Sequence, residues 1–189
     1  MLRALLAASC GLAILVGPVA AEDKPPIELK IVIKKESIAW PYVLGPKEFE
    51  AKLKELKKAK DAQYPLPPSV DIVLVFKNTS TEKLDLYVEG DANMLTLAVK
   101  GSGVTNVTPM LAFTTDFRLP KQVILEPGKM HEIQFKGLRD GFRGASRYIY
   151  PLAPGEYSVS ATYQLATVDG GKAALLKSNE AKFKIDEPK

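Results

Sequence analysis

From residue 70 onward the chain divides into short runs of β-branched and apolar residues, at 70–77, 84–89, 94–100, 122–125, 131–135, 157–166 and 181–185. Clusters of Gly, Pro, Asn and Ser separate them. Leu84-Asp85-Leu86-Tyr87-Val88-Glu89 shows the clean alternation of a strand with one buried and one solvated face. Many short strands punctuated by turns specify a mostly β chain, folded as an antiparallel β-sandwich. Asn78-Thr79-Ser80 stands between the first two runs with side chains that bond locally to backbone, and predicts a hairpin there. Leu125-Glu126-Pro127-Gly128 and Leu152-Ala153-Pro154-Gly155 repeat one Leu-x-Pro-Gly pattern. In each, proline presets the turn and glycine is expected to supply a positive φ before the next strand.

Ahead of this region, residues 28–34 read as a strand with Leu29, Ile31 and Ile33 on one face, interrupted afterwards by Trp40-Pro41-Tyr42. Gly45-Pro46 opens the one amphipathic helix, predicted over 46–60, with Phe49, Leu53 and Leu56 as its apolar stripe. Glu48 with Lys52 and Glu50 with Lys54 are spaced as favourable i,i+4 pairs. Tyr64-Pro65-Leu66-Pro67-Pro68-Ser69 is a stiff extended connector. The expected organisation is a signal peptide at 1–21, a strand, helix and connector at 22–69 packed on the main domain, and the sandwich at 70–189.

The N-terminus carries the three parts of an export signal: Arg3, the apolar stretch 4–16, and small residues in Val19-Ala20-Ala21 ahead of Glu22. The apolar stretch is shorter than the ~20 residues a membrane span requires, so no stable span is expected. Cys10 is the single cysteine. Ala7-Ala8-Ser9-Cys10 lacks the leucine of a lipid-attachment motif, and most of the apolar stretch follows the cysteine, so lipidation is not expected. Removal of residues 1–21 leaves no cysteine, and the core alone must hold the fold. The formal charge is only +4. For an exported chain with its lysines concentrated on one helix, nucleic acid is not an expected partner.

The segment Leu152-Ala153-Pro154-Gly155-Glu156-Tyr157-Ser158-Val159 resembles the corner and following strand of immunoglobulin-like (Ig-like) and fibronectin type III-like domains. In those domains a tyrosine near the strand start bonds back across the corner, and Tyr157 is the matching position. With 73–80 and the first Leu-x-Pro-Gly turn, the order is also similar to exported bacterial Ig-like domains, including the BsuPI-type proteinase inhibitors. The resemblance covers roughly residues 70–185. The whole chain resembles a family of small exported bacterial proteins with this sandwich, and no activity carries over from that likeness. The core Trp and the cysteines of antibody domains are missing, and inhibition is implied only by analogy of fold.

No catalytic or metal-binding motif is legible, and no cofactor is expected. His131 is the single histidine, and it lacks a nucleophile elbow or a cysteine partner. Met130 and His131 are adjacent on a strand and point to opposite faces, a poor arrangement for gripping a metal ion. Asp85 and Glu89 fit a solvent face rather than a converging acid–base pair. The segment 138–151 interleaves Arg139, Arg143 and Arg147 with Phe142, Tyr148 and Tyr150. It lies between predicted strands, where sandwiches present binding loops, and Arg with Tyr suits protein or anionic-sugar contacts. The expected binding residues are Arg139, Phe142, Arg143, Arg147 and Tyr148, with Leu152, Pro154, Gly155 and Tyr157 as the structural corner. Asp116-Phe117-Arg118 is a neighbouring candidate. Trp40 and Tyr42 could alternatively form a sugar platform. The expected function is a non-catalytic module that binds or spaces an envelope protein or polysaccharide in the periplasm or outside the cell; an inhibitor or a carbohydrate-binding accessory domain are the alternatives.

Overall fold

Each apolar run becomes a strand in the computed structural model, which describes residues 25–59, 62–91, 93–101, 104–107, 118–139, 149–168 and 171–188. The order is β1 (Ile27–Ile33), β2 (Ser37–Ile38), α1 (Pro46–Leu56), β3 (Asp71–Asn78), β4 (Leu84–Val88), β5 (Met94–Gly101), β6 (Lys121–Leu125), β7 (Met130–Lys136), β8 (Gly155–Ala166) and β9 (Lys172–Ile185). One sheet runs β1-β3-β7; the other runs β2-β9-β8-β4-β6, with β5 also pairing β8. All pairings are antiparallel except β2 with β9. The result is a β-sandwich with one helix among the described residues. Its core is built from the inward faces of the alternating runs, Leu29 and Ile31 of β1, Ile72, Leu74 and Phe76 of β3, and Val159 and Tyr163 of β8 among them. Phe76 meets Tyr163 edge to face across the two sheets at 4.9 Å, a geometry that adds roughly 0.5–1.5 kcal/mol beyond area burial.

Four sequence expectations change. The hairpin at Asn78-Thr79-Ser80 is not formed: β3 pairs with β1 and β7, whereas β4 pairs with β6 and β8, so the chain crosses between sheets there. Local turn chemistry cannot distinguish a hairpin from a crossover, because sheet membership is set by distant partners. The helix ends at Leu56 rather than at 60. Beyond Leu56, Lys57 and Lys58 add no apolar side chain to the stripe, and Lys58 and Ala59 donate to carbonyls three residues back, at 3.0 and 3.1 Å, in a tightened last turn. Glu48 accepts from the Gly45 N–H at 3.2 Å and Lys52 pairs with Glu55 at 3.0 Å, so the expected Glu48–Lys52 pairing is replaced by capping. The last strand begins at Lys172, well before 181.

That longer β9 is irregular: its register against β8 shifts between Ser160 and Thr162. At the shift the Ser178 hydroxyl accepts from the Ala161 N–H at 2.8 Å. The Asn179 amide reaches the other sheet, accepting from Ile31 N–H at 2.9 Å and donating to Ile31 C=O at 3.2 Å. A side chain here imitates a neighbouring strand. Two residues of β2 complete the suture by joining the end of β9, with Lys184 N–H donating to Glu36 C=O at 2.7 Å and Asp186 N–H to Ile38 C=O at 2.8 Å.

Candidate functional site

The corner at Leu152–Tyr157 is built from buried residues: Leu152, Ala153 and Tyr157 are all enclosed. The Tyr157 hydroxyl donates to the Ala153 carbonyl at 2.7 Å, and its ring stacks on Phe183 of β9. Burial first, and then the Glu50 carboxylate on α1, push this phenol up to about 12, so it remains a donor at neutral pH. The two Leu-x-Pro-Gly turns, alike in sequence, differ in geometry. Gly128 has φ 71° within a tight turn in which Lys129 N–H donates to Glu126 C=O at 3.0 Å. Gly155 has φ 151° and already pairs with Ile185 as the first residue of β8. At the second turn the tyrosine hydroxyl takes the place of a tight-turn hydrogen bond.

Just before this corner, Ile149 lies between two chain segments, bridged antiparallel to Val107 on one side and to Arg139 on the other. Val107 and Ile149 exchange both backbone bonds, at 3.1 and 3.0 Å, and Tyr150 N–H donates to Leu138 C=O at 3.1 Å. The Tyr150 hydroxyl, buried, donates to Leu97 C=O of β5 at 2.9 Å. The connections that follow Val107 and Arg139 therefore share one anchored root, and the Arg139 side chain is exposed at it. Phe142, Arg143, Arg147 and Tyr148, with Asp116 and Phe117, lie outside the described residues. The Arg118 guanidinium lies 3.5 Å from the Asp91 carboxylate. The anchoring role of Val107 and Ile149 was not anticipated; Tyr148-Ile149-Tyr150, an alternating triplet after an arginine-rich stretch, is the one local hint of it.

The aromatic pair considered as a sugar platform is a packing cluster. Trp40 meets Tyr42 and Phe49 edge to face at 4.9 and 5.2 Å, Tyr42 stacks on Phe49 at 4.1 Å, and the indole N–H donates to Leu44 C=O at 2.9 Å. This cluster seats α1 beside the corner. Among the described residues no group of three or more His, Cys, Asp or Glu side chains could hold a metal ion. No helix among them is long and apolar enough to cross a membrane. A cavity of about 610 Å³ between β1 and β9 is lined by Glu28, Lys30, Lys177 and Asn179 together with apolar residues.

His131 sits in β7 opposite Phe76 and is partly buried. Desolvation, and then the charge of Lys121, hold its pKa below the usual imidazole value. The unfolded chain therefore binds a proton that the folded one resists. Stability from this group is fully present above the unfolded value of about 6.5 and is lost as pH falls toward the folded value. The expected result is a larger drop in Tm between pH 7.5 and 5 for the native protein than for His131→Gln; equal drops in a thermal melt would contradict it.

No family model matches the chain, and no curated protein matches it significantly. Among solved structures, a β-glucosidase of Erythrobacter marinus is similar at 13% identity over 84% of this chain, with a TM-score of 0.33. A β-glucosidase of Listeria innocua is similar at 11% identity over 86%, with a TM-score of 0.32. The chain spans 15% and 16% of the lengths of those two proteins. Likenesses this low carry no statement about activity.

Proposed function

We propose that the chain is an exported, non-catalytic Ig-like module of the bacterial cell envelope that binds an envelope protein or polysaccharide through the connections rooted at Val107 and Arg139. The observation that carries this reading is the shared root: Ile149 bridged to both segments, with the Arg139 side chain exposed beside it. A rigid scaffold presenting adjacent connections is how sandwiches place binding residues. The connection after Arg139 holds Phe142, Arg143, Arg147 and Tyr148, residue types that dominate binding energy where they are buried by a partner. The export signal read in residues 1–21 supports placing this surface in the periplasm or outside the cell.

The test compares native protein with the triple substitution Arg139→Ala, Arg143→Ala, Arg147→Ala. Retention on an envelope fraction is expected to fall about tenfold or more, with the melting temperature little changed. Equal retention of the two proteins would overturn the loop assignment. The sugar-platform alternative has less to support it, since Trp40 is half-buried and packs edge to face against Tyr42 and Phe49, with its indole N–H bound to Leu44 C=O.

A further inference from the structure

A sandwich has sheet edges, and an unpaired edge strand offers a row of backbone donors and acceptors to any chain that fits it. Several edges here are covered. Asn179 occupies both polar groups of Ile31 on β1, β2 covers the end of β9, and Tyr150 takes the Leu97 carbonyl of β5. The seven-residue strand β7 is different, for among the described residues it pairs only with β3. Asn78 N–H donates to Lys129 C=O and Gly137 N–H to Val70 C=O, each within a ladder that pairs Phe76 with His131 and Ile72 with Phe135. Ladder bonds therefore fall at odd-numbered residues of β7, and the N–H and C=O groups of Met130, Glu132, Gln134 and Lys136 aim away from the sheet. Among the described residues these groups have no hydrogen-bond partner.

We propose that β7 is a dimer interface, pairing antiparallel with β7 of a second copy about a two-fold axis at Gln134. The charge pattern selects both the occupant and the register. With Gln134 opposite Gln134 of the second copy, Glu132 lies opposite Lys136 of that copy, and the contact occurs twice by symmetry. A register centred on Glu132 would set like charges face to face, and one centred on Ile133 would leave both charges without an opposite. Glu132, Gln134 and Lys136 are all exposed, and the existing contact of Lys136 with Asp71 is long, at 3.9 Å. A groove of about 370 Å³ lies beside the edge, with Ile133, Gln134 and Phe135 on one wall and Leu119, 78% exposed, on the other. The pairing would fuse two three-stranded sheets into one and set Ile133 beside Phe135 of the second copy.

Sedimentation of protein recovered from cells expressing the full chain should show a reversible, concentration-dependent dimer. Glu132→Lys should weaken it about tenfold, since two attractive cross-strand pairs become repulsive. The exchange Glu132→Lys with Lys136→Glu should restore it. Opposed residues of such a pair lie about 5.5 Å apart at Cα, within disulfide reach, so Gln134→Cys should give a covalent dimer on oxidation. A native protein that stays monomeric at every concentration would overturn the proposal. So would a dimer indifferent to Glu132→Lys and not cross-linked through Gln134→Cys.

Discussion

Asn78→Ala is expected to destabilise the protein by about 3 kcal/mol, a large share of the stability of a domain this size. The residue is fully buried at the crossover between sheets. Its amide donates to Glu82 C=O at 2.7 Å and Leu125 C=O at 2.8 Å, and its carbonyl oxygen accepts from the Ser80 N–H and hydroxyl, both at 2.8 Å. Its backbone meanwhile binds Lys129 C=O and Gly128 N–H, each at 3.1 Å. One side chain thus joins β3 to the β3–β4 connection and to the end of β6 in the opposite sheet. Each net hydrogen bond contributes about 1 kcal/mol, and stranding the buried Leu125 carbonyl costs more than losing an exposed bond. Asn78→Asp should be no better, because it removes both donors and buries charge. Urea denaturation checks this; a loss below about 1 kcal/mol would mean that water replaces the side chain at the crossover.

Gly101→Ala is expected to cost about 2–4 kcal/mol through overpacking. Gly101 pairs with Tyr157 in the ladder, at φ 153°. A Cβ there would lie 2.4 Å from Tyr157 Cδ1 and 2.6 Å from the Glu156 carbonyl oxygen. Neither neighbour can yield easily, since the Tyr157 ring is stacked on Phe183 and its hydroxyl is held by Ala153. Tyr157→Phe, by contrast, removes only that hydroxyl bond and should cost about 1–2 kcal/mol. The order of the two losses in thermal or urea unfolding is the discriminating result. A Gly101→Ala protein more stable than Tyr157→Phe would mean that the corner shifts freely.

Side-chain chemistry was legible where it is local. Runs of β-branched and apolar residues between turn signals marked β3, β4, β5, β7 and β8 to within two residues at each end, with clean alternation at β4, because burial on one face imposes period two on the sequence itself. The first half of β9 was not legible. Ala173-Ala174-Leu175-Leu176 does not alternate, and the irregularity near Ser178 and Asn179 reverses the order of inward and outward residues. The candidate binding segment could be placed between strands but not tied to a neighbour. That needed Ile149 to lie between Val107 and Arg139, and no local pattern encodes the pairing of Ile149 with the distant Val107.

By itself, then, the sequence determined the β class, the helix from its proline start through its apolar stripe, and the tyrosine position at the corner. Only the tertiary structure decided which sheet each strand joins, that Asn78 sits at a crossover instead of a hairpin, and that Asn179 bridges the two sheets. The reason is the range of the forces. Propensity and alternation act on residues a few positions apart, whereas an asparagine amide finds its partners wherever folding brings an unpaired backbone group within 3 Å, as Ile31 and Leu125 are brought here.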